Sequence, residues 1–180
     1  MSKSTFFLRS QVIAPATQAR AVEEIDLGAF VNLGSTKPQV LRIHSVQISF
    51  TDSQGLVPVV DAATSSADAK SAFAVAAITT KETALASPNM PLLSDDETVF
   101  TAAIVSSNLN DDKDQGITSS ATDLAPQHLM NGYLIGVDTL YLYGIADDAW
   151  DESLTISVCM ECSVEPATRE NSINLALSQS

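Results

Sequence analysis

Residues 154–164 decide the fold, and they read LTISVCMECSV. Every even-numbered position holds an apolar residue, and the odd-numbered positions hold polar or small ones. Because side chains alternate between the two faces of a β-strand, this pattern predicts a strand that buries one face. Pro166 ends the strand, since proline has no backbone N–H to donate to a neighbouring strand.

Two upstream segments extend the same kind of pattern. Residues 133–143, YLIGVDTLYLY, are rich in aromatic and β-branched residues and are apolar on both faces. They predict one central strand covered on both sides, with a partner subunit as a candidate cover, and Asn131-Gly132 marks the turn into it. Residues 40–50, VLRIHSVQISF, predict a strand whose alternation changes phase between Ile43 and Val46. That change indicates a β-bulge or a change of sheet.

Less regular strands and long polar loops make up most of the remaining chain. We predict the further strands at residues 5–13, 21–27, 73–80 and 98–105. The polar loops span residues 52–71, 84–97 and 106–127, and an acidic loop at residues 147–152 leads into the last strand. Loops of this length often carry function or contact a neighbouring molecule.

Only the C-terminus has a helical pattern. Thr168 is the candidate N-cap, and Ile173, Ala176 and Leu177 share one face of the helix. A helix of about eleven residues is marginal on its own, so we expect it to dock on the rest of the domain.

About seven or eight strands without βαβ alternation or internal repeats predict an all-β fold. We expect an antiparallel two-sheet sandwich of jelly-roll type, with an extended N-terminal arm and a short C-terminal helix. The predicted organisation is an N-terminal arm or first strand at residues 1–20, a β-sandwich domain at 21–166 and a C-terminal helical tail at 167–180.

Composition limits the classes of partner. The 180 residues suit one domain, and 45% apolar with 17% charged residues exclude intrinsic disorder. No apolar stretch is long enough to span a bilayer, and residues 1–9 lack the features of a signal peptide. The formal net charge of -13 would repel phosphate groups, so we expect no direct nucleic-acid binding. An acidic surface suits a saline habitat, although ordinary acidic proteins share it.

The residue types that most often act in catalysis are few. Cys159 and Cys162 form a CxxC, but positions three apart in a strand face opposite sides, so the two sulfurs cannot converge on a metal. His44 lies in a predicted strand and His128 at a loop end, and no catalytic motif accompanies either. We therefore interpret both histidines as surface or interface residues and expect no enzymatic activity.

Acidic residues offer two further candidates. Asn110, Asp112 and Asp114 alternate as in a calcium loop, but glycine comes one place late and no glutamate closes the loop. They are our candidate ligands for a structural divalent cation, with a solvated acidic loop as the alternative. The acidic runs at residues 95–97 and 147–152 could supply a glycosidase carboxylate pair, although acids are common in turns. We expect no other cofactor, because the chain has no glycine-rich phosphate loop.

Four segments carry a resemblance to a known family: residues 24–27 (EIDL), 41–46 (LRIHSV), 132–142 (GYLIGVDTLYL) and 171–178 (NSINLALS). In strand type and order the chain resembles the small single jelly-roll major capsid proteins of tailless icosahedral viruses with archaeal or marine hosts. The resemblance implies a virion protein, made in the host cytoplasm, whose arms and loops contact copies of itself. The basic N-terminal arm of small RNA virus capsid proteins is missing, so genome condensation would fall to another component, such as an internal membrane or a separate basic protein. A second capsid protein and an internal membrane component are the further candidate partners.

Three functions follow from these patterns. A sandwich with an apolar surplus, open strand edges and an amphipathic tail favours self-assembly, which acidic charge would oppose until salt or divalent cations screen it. The alternative is a non-catalytic carbohydrate-binding or adhesion module. That function needs an exposed aromatic platform, which only Tyr133, Tyr141, Tyr143 and Trp150 could supply. An enzyme is the least supported of the three.

Overall fold

A computed structural model describes residues 4–34, 37–60, 71–108, 115–119 and 127–179. The described elements, in chain order, are β1 (Phe6–Ala14), β2 (Ala21–Asp26), β3 (Gln39–Thr51), β4 (Ser71–Thr79), β5 (Thr98–Asn108), β6 (Gln115–Ser119), β7 (Gln127–Ile135), β8 (Thr139–Ala146), β9 (Leu154–Pro166) and the helix α1 (Arg169–Gln179). All the strand pairs are antiparallel.

The strands form a four-stranded sheet in the order β1-β9-β3-β7 and a five-stranded sheet in the order β2-β8-β4-β5-β6. The first strand pairs with the last, and the second pairs with the last but one. This nesting of the two halves of the chain is the jelly-roll arrangement. The predicted all-β fold, an antiparallel jelly-roll sandwich with a short C-terminal helix, is therefore confirmed. Residues 6–14 of the N-terminal segment are the first strand of the four-stranded sheet.

The deciding stretch is a strand with one buried face, as predicted, and it lies between two partner strands. In β9, Leu154, Ile156, Val158 and Met160 are buried, whereas the residues between them are partly exposed. Val158 has Ser10 of β1 on one side and Ile48 of β3 on the other. One face of β9 therefore contributes its side chains to the hydrophobic core of the sandwich.

The change of phase in β3 is a β-bulge. Ile43 lies opposite Cys162 and Ser45 lies opposite Glu161, so His44 is an extra residue against β9. The bulge brings Ile43 and Val46 to the same buried face despite their odd spacing. Of the two predicted alternatives, a β-bulge or a change of sheet, the bulge is confirmed.

The prediction that residues 133–143 form a single strand is wrong. The segment is the end of β7, a connection at residues 136–138, and the start of β8 in the opposite sheet. Ile135 faces the core from one sheet, and Leu140 and Leu142 face it from the other. The segment is apolar on both faces because it crosses between the sheets, and no partner subunit is needed to cover it.

Asn131-Gly132 is not a turn between strands, which corrects the prediction. Both residues lie within β7, where the register against β3 is irregular between Ile43 and Ser45. Gly132 has a φ of 68°, and a Cβ at this position would lie 2.6 Å from Cγ of Arg42. Arg42 donates to the carbonyl of Asn131 and forms a two-pronged ion pair with Glu165, with N–O distances of 2.8 and 3.0 Å. Glycine is therefore required beneath this arginine.

One strand was missed. β6 (Gln115–Ser119) lies within the predicted loop at 106–127 and pairs with β5, which itself continues to Asn108. Its sequence QGITS has one large apolar residue and no alternation that would predict a strand. β6 is the edge strand of its sheet, where a strand has only one partner.

Arg20 fastens the long loop between β4 and β5 to the five-stranded sheet. Its guanidinium donates to the carbonyls of Leu85 (2.6 Å) and Asn89 (2.8 Å), and it lies 5.3 Å from the ring centre of Tyr143. The Tyr143 hydroxyl accepts the N–H of Thr83 at 2.9 Å. One side of the loop is therefore held against the outer face of β8.

Candidate functional site

The cysteine and histidine candidates form no reactive pair among the described side chains. Cys159 is partly exposed and Cys162 is buried, so the two thiols face opposite sides of β9, as predicted. Burial raises the pKa of Cys162 to about 12, which keeps its thiol protonated. His44 Nε2 lies 2.8 Å from the Ser163 hydroxyl and has no carboxylate partner among its described contacts. His128 belongs to β7, and its side chain lies outside the described residues.

The candidate cation ligands Asn110, Asp112 and Asp114 lie outside the described residues, so this site stays a prediction. In the part of the chain that is described, no group of three or more His, Cys, Asp or Glu side chains is placed to hold a metal ion.

Two of the acidic side chains considered for a glycosidase pair accept hydrogen bonds from neighbouring backbone and side-chain groups. Asp147 is buried, and its Oδ1 accepts bonds from Nε2 of Gln18 (2.7 Å) and the N–H of Asp148 (2.9 Å). Asp95 Oδ2 accepts the N–H of Leu92 at 2.8 Å. Such contacts are typical of carboxylates that stabilise turns.

The aromatic residues do not provide the exposed platform that a sugar-binding module needs. Tyr133 lies on β7, whereas Tyr141 and Tyr143 lie on β8, where their rings stack 6.5 Å apart. Tyr143 and Trp150 are buried, and Tyr141 is partly covered. These four residues therefore present no continuous aromatic surface.

A patch of exposed apolar side chains lies at one side of the sandwich, and we call it the apolar rim. Its members, between 37% and 62% exposed, are Leu56, Val57, Val59, Phe73 and Val105. Phe73 of β4 and Val105 of β5 are direct cross-strand neighbours, and they stand on the outer face of the five-stranded sheet. Val57 lines the same cavity as Val105, which connects the 56–59 segment to the strands.

Trp150 and its neighbours are hydrogen-bonded to the backbone of the rim residues. Its indole N–H donates to the carbonyl of Phe73 at 2.8 Å, and the N–H of Asp147 donates to the same carbonyl at 2.9 Å. Trp150 also forms a β-bridge with Val60, and the N–H of Asp151 donates to the carbonyl of Val59. The acidic loop before β9 thus holds both β4 and the 56–60 segment in place. Its sequence had indicated only a connection.

The C-terminal helix is confirmed, but it docks through a polar residue. The Thr168 hydroxyl accepts the N–H of Asn171 at 3.3 Å, as predicted for the N-cap. Ile173 and Leu177, expected to face the domain, are 47% and 70% exposed, and the side chain of Ala176 lies outside the described residues. No described helix has the length and apolar content to cross a membrane.

Gln179 attaches the helix to the edge of the four-stranded sheet. Its Oε1 accepts the N–H of Gly136 at 2.7 Å, and its Nε2 donates to the carbonyl of Leu134 at 2.7 Å. A residue of a parallel strand would bind its neighbour in the same way, with one bond to residue i and one to residue i+2. The buried side-chain amide therefore satisfies the exposed edge of β7 as an added strand would.

Solved structures of other proteins are similar to this chain in fold. No family model and no curated protein matches the chain. VP1 of Trichodysplasia spinulosa-associated polyomavirus in complex with 3'-sialyllactose matches with a TM-score of 0.54 and 10% identity, over 93% of this chain and 96% of that chain. The same protein in complex with GM1 oligosaccharide gives 0.52 and 11%, over 91% and 95%. The Merkel cell polyomavirus virus-like particle gives 0.50 and 8%, over 94% and 76%. At these identities the likeness shows a shared fold.

Proposed function

We propose that this chain is a structural virion protein that self-assembles into an icosahedral capsid shell. The contacts between subunits would come from the jelly-roll domain and its terminal segments. The observation that carries the proposal is the apolar rim, whose side chains stay exposed although the domain has a large cluster of buried apolar residues between its sheets. Apolar patches of this kind mark surfaces that another protein covers.

The fold supports the proposal independently of the rim. The similar chain in the Merkel cell polyomavirus virus-like particle belongs to an assembled particle. A second copy is also the simplest partner, because symmetric association buries the same patch on every subunit. The origin in a tailless virus with archaeal or marine hosts, and synthesis in the host cytoplasm, belong to this proposal.

The charge of the chain determines the conditions of assembly. With a formal charge of -13, copies repel one another at low ionic strength. Screening shortens the range of this repulsion to about 3 Å in molar salt, so apolar contacts can then prevail. The same charge argues against direct genome binding, and we assign that role to an internal membrane or a separate basic protein, with a second capsid protein as a further candidate partner of the shell. We propose no catalytic role and no cofactor beyond the candidate cation at Asn110, Asp112 and Asp114.

The test compares assembly of the wild type and a double variant, Phe73→Gln with Val105→Gln, by light scattering and negative-stain electron microscopy from low to molar salt. The matched control is Val22→Gln, because Val22 is similarly exposed but lies on β2, away from the rim. We expect closed particles or capsomer rings at high salt for the wild type and the control, and a monomer for the double variant. A wild type that stays monomeric at every salt concentration contradicts the proposal.

The tail provides a second test. Deleting residues 168–180 should impair assembly more than folding, because α1 docks at the edge of the sheet. Circular dichroism reports whether the β-sandwich persists in the shortened chain. Loss of the β signal would show that the helix belongs to the folding core instead.

A glycan-binding module is the second candidate. The described aromatic residues form no platform for it, so it rests on one polar surface feature instead. A shallow groove of about 450 Å³ on the outer face of the four-stranded sheet is lined by hydroxyl, amide and guanidinium groups, including those of Arg9, Gln11, Gln47, Ser49 and Ser157. Two of the similar structures hold sialylated or GM1 oligosaccharides. Saturation-transfer NMR with 3'-sialyllactose tests this function, with Arg9→Gln as the variant expected to lose the signal. No transfer to the wild type would exclude this glycan as a ligand.

A further inference from the structure

A second cavity opens at the edge of the sandwich, next to the apolar rim. It has a volume of about 380 Å³ and is walled by β3 on one side and β5 on the other. Most of its lining is apolar and comes from Ile48, Phe50, Val57, Pro58, Ile104, Val105 and Trp150. The volume falls within the range of about 300–1,000 Å³ that is usual for small-molecule sites.

One polar side chain in this lining has no partner among the described residues. Ser106 is only 2% exposed, and no described group is hydrogen-bonded to its hydroxyl. On β5, Ala102, Ile104 and Ser106 are buried, whereas Val105 is exposed, so Ser106 shares the inward face of the strand. A buried hydroxyl without a partner costs stability, and a ligand that bonds to it would recover that cost.

We propose that this cavity binds a small amphiphile with a neutral, hydrogen-bonding head and an unbranched apolar chain. The head would bond to the Ser106 hydroxyl, which can donate or accept, and the chain would lie against Ile48, Phe50 and Ile104. The cavity has room for about a dozen water-sized groups at roughly 30 Å³ each, which matches an alcohol of about ten carbons. A neutral head is favoured over a carboxylate because the protein carries a net charge of -13.

Trp150 makes the proposal directly measurable, since it lines the cavity and is the only tryptophan of the chain. The probe is 10-bromodecan-1-ol, whose bromine quenches indole fluorescence on contact, titrated into the full-length protein at low salt. We expect saturable quenching. The charged analogue 10-bromodecanoate should bind more weakly, and its deficit should shrink as salt is raised.

Two variants separate a specific site from general adhesion to apolar surface. Ser106→Ala removes the proposed bond and should weaken the alcohol about 2–10-fold. Thr98→Val is the matched control, because Thr98 also has a buried hydroxyl that meets no partner in the described part of the chain, but it does not line the cavity. Its affinity for the alcohol should equal that of the wild type.

Three outcomes would overturn the proposal. Quenching that never saturates would reflect adhesion rather than a site. Equal affinity in wild type and Ser106→Ala would remove the role of the hydroxyl. No quenching by the probe, together with loss of assembly in Val57→Asp, would assign the cavity to a side chain of a second copy. The titration uses the unassembled chain, so its result does not depend on whether the protein forms shells.

Discussion

Replacing Gln179 with methionine tests whether one side chain holds the C-terminal helix on the sheet. Methionine keeps the length of the side chain but loses both hydrogen bonds, each 2.7 Å long, to the carbonyl of Leu134 in β7 and the N–H of Gly136 directly after it. Each bond contributes about 0.5–1.5 kcal/mol, so the expected loss of unfolding free energy is about 2 kcal/mol. For a domain of this size that lowers the Tm by about 4–8 °C.

Urea unfolding measures the loss, and hydrogen exchange locates it. The Gly136 amide should lose its protection, because its acceptor is gone, whereas amides in the centre of β9 should change only with global stability. Ser178→Ala is the control, since the described bond of its exposed hydroxyl is to the carbonyl of Leu175 within the helix.

An unchanged Gly136 exchange rate in Gln179→Met would refute the reasoning. It would mean that the helix leaves the edge of β7 most of the time and that the two bonds contribute nothing in solution. A free-energy loss below about 0.5 kcal/mol would lead to the same conclusion.

Further predictions concern backbone strain, ionisation and unpaired hydroxyls. Gly132→Ala should destabilise the protein by about 1–3 kcal/mol, measured by urea unfolding, because alanine is strained at φ 68° and its Cβ would displace Arg42. Cys162 should resist iodoacetamide in the native state while Cys159 reacts, as mass spectrometry would show. Since burial raises the folded-state pKa of Cys162 from 9.0 to about 12, the unfolded chain binds fewer protons between these values, and stability should fall by up to about 1.4 kcal/mol per pH unit. Cys162→Ala should remove this slope, and an identical slope in that variant would contradict it. Thr98→Val should raise the Tm, since it removes a buried hydroxyl that lacks a partner; a lower Tm would show that the hydroxyl is satisfied in solution.

Strands with one buried face were predictable because alternation is a local property. β9 and the bulge in β3 both follow from the side on which each apolar residue falls. The same rule failed at residues 133–143, where the chain leaves one sheet for the other and apolar residues face the core from both. A continuous apolar stretch can be one strand that is covered on both faces, or the ends of two strands joined where the chain crosses between sheets. Periodicity alone cannot separate these two cases.

The residues that matter most for binding were not predictable. Gln179 meets partners that are 43 and 45 positions away, and Ser106 matters because no described residue bonds to its hydroxyl. A lone glutamine in a tail and a lone serine in a strand carry no local signal. Trp150 offered one, since a single tryptophan within an acidic loop needs a partner for its indole N–H.

The central position of β9 in its sheet also governs how the protein can be made. β1 pairs only with β9 in the described sheet, and β3 meets β9 along nearly its whole length. During synthesis these early strands therefore wait, with their apolar faces unprotected, until residue 166 has emerged from the ribosome. Such non-local pairing makes folding slow and exposes the nascent chain to aggregation. Yield in an expression host should therefore respond to chaperone supply and to the rate of translation through the codons of residues 154–166.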